Sequence, residues 1–295
     1  MNIGYPCINL TLGKKITTNR TMRKATFEQK GIAYASELAL KNCQDLLKIL
    51  EWNEEHGIKL FRVSSEIFPW ASEYDLKDLP DYEEICEALT KAGNFAKTHN
   101  HRLTSHPGQF NKLCSPKDNV IKNTIRDLEI HGELFDLMGL SRTPYNSFCL
   151  HVGAAYNDKE ATLKRFCENF ELLPESVKTR LAVENDDKSS LYSTKELYEG
   201  VYKVIGVPVI HDFYHHTFNT GSLSQEEALG LAASTWGDIT PVTHHSESRA
   251  VEQNDPKIKA TAHSDYITNL PETYGIDVDI VVESKKKDLA ILPFI

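Results

Sequence analysis

No apolar run in the 295-residue sequence approaches the ~18 consecutive residues of a membrane helix, so no span through a bilayer is expected. The first residues, "MNIGYPCINL", contain no basic stretch followed by an apolar one, which predicts no secretion signal and an intracellular protein. Cysteine is sparse and scattered: Cys7, Cys43, Cys86, Cys114, Cys149 and Cys167 include no C-x-x-C pair. That spacing argues against a thiolate zinc site or a disulfide frame and fits buried free thiols in a reducing compartment. Positive charge is also short, with 33 Lys and Arg against 42 Asp and Glu and a net charge of −9.

An acidic sum speaks against a polyanionic partner, because phosphate binding draws on lysine and arginine. The distribution says more than the sum. From Gly13 to Lys30 the chain reads "GKKITTNRTMRKATFEQK", with Lys14, Lys15, Arg20, Arg23, Lys24 and Lys30 against the single acid Glu28. A solvated charged loop would have the same composition. If many carboxylates instead face metal cations, or lie on the far side of the molecule, a basic face survives on an acidic protein.

No linker, repeat or low-complexity stretch interrupts the chain, and residues 1–295 are expected to form a single domain. Eight short apolar, β-branched runs alternate with longer helical patterns, as in βα units around a parallel sheet. The runs are "NIGYPCI" at 2–8, "KLFRVSS" at 59–65, "HRLTSH" at 101–106, "SFCLHVG" at 147–153, "RLAVEN" at 180–185, "VPVIHD" at 207–212, "DITPVTHH" at 238–245 and "DVDIVVE" at 277–283. Eight strands close a (β/α)8 TIM barrel, the fold class these patterns predict. Helical stretches include 35–57, with Gly57 as a C-terminal stop, and 82–99, 123–139 and 193–206, whereas Glu247 to Gly275 holds no long helical pattern.

Functional residues of such barrels stand at the C-terminal ends of the strands. Here those ends carry His106, His151, Glu184, His211 and Asp212 with His215 just beyond, His244 and His245, and Glu283, while His263 and Asp265 lie in the loop before the eighth run. A lone histidine is ordinarily a hydrogen-bonded or surface residue, but six strand ends in succession bring imidazoles and carboxylates to one cup, a donor set for zinc, manganese or iron. Strand alternation separates His211 from Asp212, which ranks Asp212 and His215 above His211 and His216, and leaves open which of His244 and His245 faces inward. His106, His151, Glu184, Asp212, His215, His245, His263, Asp265 and Glu283 make nine candidates, more than the three protein ligands of one catalytic ion, so two or three divalent ions are implied. Clustered ions suit phosphodiester hydrolysis, with sugar isomerisation as the chemical rival.

The ordered set "GYPCINLTL", "FRVSSEIFP", "SHPGQF", "LHVG", "VEND", "HDFYHH" and "VVESKKKDLAIL" resembles the UV damage endonucleases over nearly the full length. These repair nucleases belong to the same metal-dependent barrel group as endonuclease IV and the xylose isomerases. The resemblance implies a three-metal barrel that nicks double-stranded DNA immediately 5′ of ultraviolet photoproducts, with manganese as the favoured ion. Carried over by position, Glu184 would bridge two ions, His106 and His151 would complete one site, Asp212, His245 and Glu283 the second, and His215 with His263, aided by Asp265, a third. Glu184 and Glu283 are then the carboxylates expected to carry catalysis.

The family also flips the damaged bases out of the stack. Gln109 and Phe110 resemble its duplex-probing pair, with phenylalanine where members often carry tyrosine, and Tyr5 and Asn9 resemble residues of its lesion pocket. Some members have a lysine two residues before the seventh-strand histidine. Counting back from His245 gives Thr243, a spacing that favours His245 over His244 and leaves no lysine to modify. Lys14, Lys15 and Lys285, with their basic neighbours, would meet the phosphate backbone. No membrane and no obligate protein partner is expected. The alternatives are an abasic-site endonuclease of the endonuclease IV type, a sugar isomerase, or a non-catalytic metal-binding or protein-interaction barrel. An isomerase would not need the basic loop, and nine ligands around one cup leave uncompensated charge unless ions bind.

Overall fold

The computed structural model describes residues 1–295. Eight parallel strands form the sheet: β1 (Ile3–Pro6), β2 (Leu60–Val63), β3 (Arg102–Ser105), β4 (Phe148–Leu150), β5 (Leu181–Glu184), β6 (Val209–Ile210), β7 (Val242–His245) and β8 (Asp279–Val282). Each lies within one of the eight apolar runs. The order is β6-β5-β4-β3-β2-β1-β8-β7. The two ends meet through a single parallel bridge between Asp212 and His244, where His244 N donates to His211 O at 3.0 Å. This closure makes the architecture a (β/α)8 TIM barrel.

The helices around the sheet are α1 (Lys24–Glu55), α2 (Tyr82–Thr98), α3 (Asp118–Leu137), α4 (Lys159–Phe170), α5 (Glu175–Lys178), α6 (Thr194–Leu197), α7 (Lys203–Ile205), α8 (Phe213–His216), α9 (Gln225–Ala233), α10 (Arg249–Glu252) and α11 (Lys287–Ile291). A π-turn, Tyr198–Tyr202, joins α6 to α7. The first helix starts earlier than its apolar pattern indicates, because residues 24 to 30 form a helical segment that kinks at Gly31 (φ 67°), a backbone angle that favours glycine. Its other end stops at Glu55 before Gly57 (φ 73°). In the weak final unit, Arg249–Glu252 is the one helix between Glu247 and Gly275.

Period-two alternation sorts the strand side chains into two layers. Leu60, Cys149, Ala182, Ile210, Val242 and Val281, from six different strands, make one cluster with Trp236, which places them inside the barrel. The larger core, including Phe61, Leu103, Phe148, Leu181 and Val209, lies between the sheet and the helices. Arg102 plugs the interior at the strand N-termini, where Nη1 meets Asp279 Oδ2 at 3.0 Å and donates to Thr240 O at 2.7 Å. With one end filled, the opposite end is left for chemistry. No helix is long and apolar enough to cross a membrane.

Close backbone approach limits two positions. A Cβ on Gly4 would meet Leu60 O at 2.1 Å, and one on Gly93 would meet Met138 O at 1.8 Å, where α2 crosses the end of α3. Neither neighbour is a flexible side chain. Gly93→Ala is therefore expected to force the helices apart and lower unfolding stability by roughly 1–3 kcal/mol or more, read as a lower urea midpoint. An unchanged midpoint would contradict this packing.

Candidate metal centre

The cup at the C-terminal ends of the strands is organised around Glu184, the last residue of β5, whose side chain is 1% exposed. Its Oε2 lies 3.1 Å from His106 Nε2, 3.3 Å from His151 Nε2 and 2.9 Å from Cys149 Sγ. Its Oε1 lies 2.9 Å from His244 Nδ1 and 3.6 Å from His215 Nδ1. Glu283, just after β8, extends the cluster: Oε1 lies 3.6 Å from His244 Nδ1 and pairs with Arg62, and Oε2 lies 3.5 Å from His263 Nδ1.

Local structure explains how the "HDFYHH" stretch contributes. Asp212 is the N-cap of α8, and its Oδ1 accepts from His215 N at 2.7 Å. One turn of helix then brings His215 to the same side. Asn185 extends the β5–β6 pairing with its side chain, accepting from Asp212 N at 2.8 Å and donating to Asp212 O at 3.1 Å. Asn185 O also meets His215 Nδ1 at 2.9 Å, which fixes the ring. Asp212 Oδ2 is buried with no hydrogen-bond partner. His211 faces away from the cup, with Nδ1 on Thr194 Oγ1 at 3.1 Å and Nε2 on Gln225 Nε2 at 2.9 Å.

The charge states follow from this crowding. Burial would raise the Glu184 carboxyl, but the imidazoles of His244, His151 and His106 hold it well below the usual carboxylate range. Burial likewise opposes the charge on Glu283, and Arg62 and His244 overcome it. Burial disfavours the charged forms of His151 and His215, yet Glu184 and Asp186 lift His151 to about 9, and Asp212 and Glu184 lift His215 to about 10. Burial wins at His106 even against Glu184, with Arg62 adding to it, and at His211, which has no carboxylate partner and falls to about 3. The cup's carboxylates thus demand positive charge, which protonated imidazoles and Arg62 provide in the protein alone.

This donor set fits divalent ions. The ligand atoms of His106, Cys149, Glu184 and His244 all lie within 4.8 Å of one another, as do those of His151, Glu184 and His215. Both groups share Glu184, whose two oxygens are contacted from different sides. Asp212 Oδ2 adds a buried oxygen with a vacant lone pair. His263 joins through Glu283, whereas Asp265 turns its carboxylate toward Arg249 Nη2, 3.9 Å away.

The seventh strand requires a correction. His244, not His245, faces the cup, because β7 alternates Val242 and His244 inward. His245 is buried on the other face beside Phe213, with ring centroids 6.1 Å apart, and neither ring nitrogen has a hydrogen-bond partner. The position two residues before the inward histidine is accordingly Val242, packed in the barrel interior, rather than Thr243.

Tyr5 and Asn9 also depart from expectation. Both are fully buried, and Asn9 Nδ2 donates to Tyr5 OH at 2.8 Å while Tyr5 OH donates to Asn53 Oδ1 at 2.7 Å. Tyr5 packs edge-on against Phe61 between β1 and α1, so as arranged here neither side chain can stack on a base. Gln109 is exposed and Phe110 is 82% exposed on the loop after β3. Asn111 braces this loop, its Nδ2 donating to Gly108 O at 3.0 Å and to Asp127 Oδ2 at 2.7 Å. Beneath Phe110 opens a cavity of about 610 Å³ lined by Glu66, Asn111, Arg126 and Asp127 among others.

Lys14, Lys15 and Lys285 are exposed. Asp288, fully buried, accepts from Leu10 N at 2.6 Å and Thr11 N at 3.0 Å, which holds the loop after β1 against α11 and the lysines before it. Arg20 is not part of that free charge, since its Nη2 pairs with Asp45 at 2.6 Å. Sequence reasoning missed Arg62, Cys149, Asn185 and Asp186, the last 3.2 Å from His151 Nδ1. Arg62 and Cys149 had a signal in the alternation of their strands, since each is an inward position.

The whole chain, residues 1–295, matches the family described as UV-endonuclease UvdE. The match spans the whole barrel, and the chain belongs to that family. Among similar proteins, the UV-damage endonuclease of Schizosaccharomyces pombe is 33% identical over 98% of this chain, which spans about half (49%) of that protein. The UV DNA damage endonuclease of Bacillus mycoides is 33% identical, with 88% of this chain and 81% of that protein covered. The crystal structure of SacUVDE superposes with a TM-score of 0.85 at 32% identity, covering 99% of this chain and 96% of that one. A D-psicose 3-epimerase, at 14% identity and a TM-score of 0.54 over 80% of this chain and 78% of that one, shares the fold.

The pKa values predict how the metal-free protein responds to pH. Histidine in the unfolded chain titrates near 6.5, whereas folded His151 and His215 titrate at about 9 and about 10. Their stabilisation is complete below the unfolded value and is lost as pH rises through the folded values. In chelator, melting temperature should fall between pH ~6.5 and ~10, and added manganese should remove that fall because an ion replaces the protons. A flat profile in chelator would contradict the charge pattern.

Proposed function

We propose that the protein is a metal-dependent DNA repair endonuclease that hydrolyses the phosphodiester bond immediately 5′ of ultraviolet photoproducts, both pyrimidine dimers and 6-4 photoproducts, using two or three divalent ions, with manganese suited to the imidazole and carboxylate donors. The observation that carries this reading is Glu184, buried at the open end of the barrel with four imidazoles and one thiol on its two oxygens. Family membership and the likeness to SacUVDE support the substrate class. Ions held by His106, His151, Glu184, Asp212, His215, His244, His263 and Glu283 would supply Lewis-acid stabilisation of the charge that develops on the phosphodiester.

The remaining work falls to this chain's own groups. Glu184 and Glu283 hold the cup's negative charge in place, and Arg62, paired with Glu283, keeps that carboxylate ionised. Asp186 orients His151 from behind, and Asn185 orients His215. Lys14, Lys15 and Lys285 flank the mouth and bind phosphates of the duplex. The exposed Phe110 ring offers a stacking face where a flipped nucleotide leaves a gap, and Gln109 offers an amide for exposed base edges.

The primary test is cleavage of a duplex bearing one defined thymine dimer, with manganese and with chelator, beside undamaged and abasic duplexes. A manganese-dependent nick directly 5′ of the dimer is expected. Cutting of the abasic duplex alone would reassign the substrate, and no cutting of any duplex would overturn the nuclease reading. Glu184→Gln should lower the cleavage rate by more than about a hundredfold, since loss of mere supporting groups already costs roughly 10–100-fold, while a filter-binding measurement finds DNA affinity largely retained. Replacing Lys14, Lys15 and Lys285 together by alanine should weaken binding to all duplexes and flatten the salt dependence by roughly 0.9 log unit per lost contact. An unchanged slope would remove these lysines from the interface.

A further inference from the structure

We infer that Cys149 is itself a metal ligand, so that the His106–Cys149–Glu184–His244 group is a mixed imidazole–thiolate–carboxylate site selective for a softer ion, such as zinc or cobalt, than its neighbour takes. The inference rests on the reading that the cup holds divalent ions. Cys149 is the inward residue of β4, two positions before His151, and is 2% exposed. Below it the barrel is apolar, with Leu60, Ala182, Ile210 and Val281 in the same cluster. Its one polar contact is Glu184 Oε2, 2.9 Å from Sγ. A thiol serving only as interior packing has no need of a carboxylate partner. Here the carboxylate is also the residue shared by both ligand groups, and Sγ joins His106, His244 and Glu184 with all ligand atoms within 4.8 Å.

Four donors from imidazole, thiolate and carboxylate are the number and kind that tetrahedral zinc sites use. The other group, His151, Glu184 and His215, contains no sulfur and suits harder ions such as manganese. The scattered cysteine spacing hid this arrangement, because Cys149 meets Glu184, 35 residues away in sequence, through the pairing of β4 with β5, and His244 only across the barrel. On ligation the S–H bond to Cys149 breaks, the sulfur–metal bond forms, and the proton leaves to buffer. No redox change is involved.

The test is absorption spectroscopy of the full-length apo-protein titrated with cobalt(II) alone. A near-ultraviolet sulfur-to-cobalt charge-transfer band is expected together with visible ligand-field bands, and it should vanish in Cys149→Ser and Cys149→Ala while ligand-field bands persist. Circular dichroism of each variant checks that it folds, and the spectrum of the unaltered protein is decisive even if one variant does not. In competition, Cys149→Ser should lower the preference for zinc over manganese by at least about tenfold, the smaller end of what loss of a supporting group produces. Ligand-field bands without a charge-transfer band, or a band surviving in both variants, would overturn the thiolate assignment and leave the metal cup standing. Absence of any cobalt spectrum would overturn the metal cup as well.

Discussion

Burial of the Glu184 carboxylate at the mouth of the barrel is the constraint on which the rest of the site depends. An isolated buried carboxylate is strongly unfavourable, and it persists only where opposite charge and hydrogen bonds surround it. Its two oxygens collect His106, His151 and Cys149 on one side and His244 and His215 on the other, from β3, β4, β7 and α8. Those partners are in turn held by Asp186, Asn185 and Asp212. A polar network of this kind is stable only when it is nearly complete, which accounts for the concentration of titratable side chains at one end of an otherwise apolar barrel.

The same residues close the sheet. β6 is two residues long, and the barrel is completed between β6 and β7 by the single Asp212–His244 bridge, while the Asn185 side chain extends the pairing of β6 with β5 on the other side. The bridge that closes the barrel therefore joins two residues of the cup. At this seam Asp212 keeps an extended backbone (φ −92°, ψ 116°), and its side chain caps the first turn of α8, which delivers His215. Electrostatics divides the protein in a comparable way. Acidic overall, it keeps exposed lysines on the loop after β1 and before α11, and the buried carboxylate of Asp288 joins these two segments. One buried acid thus organises the polar cup and another organises its basic rim.

Much of this was legible in the sequence. Strands are short and pattern with period two, so each apolar run located a strand, and the histidines and carboxylates clustered at the ends of runs three to eight marked the cup, because barrel topology places all those ends together whatever the intervening helices do. The Asp212–His215 spacing was interpretable for a local reason, since capping and one helical turn act over three residues. The sequence alone therefore determined the fold class, the end of the barrel where the polar cup lies and most of the side chains that line it.

Tertiary structure decided what depends on register and depth. His244 and His245 are adjacent, and a one-residue shift in β7 exchanges the inward and outward face, a choice made by pairing with β8 and by the bridge to Asp212 rather than by β7 itself. Tyr5 and Asn9 stand next to the basic loop in sequence, yet α1 covers them and Asn53, a distant residue, takes the Tyr5 hydroxyl. Cys149 and Arg62 looked like ordinary strand residues until the sheet set Glu184 of the neighbouring β5 and Glu283 after β8 against them. In each case the deciding partner comes from another strand or helix, and a contact between distant segments has no signature in the local pattern of either.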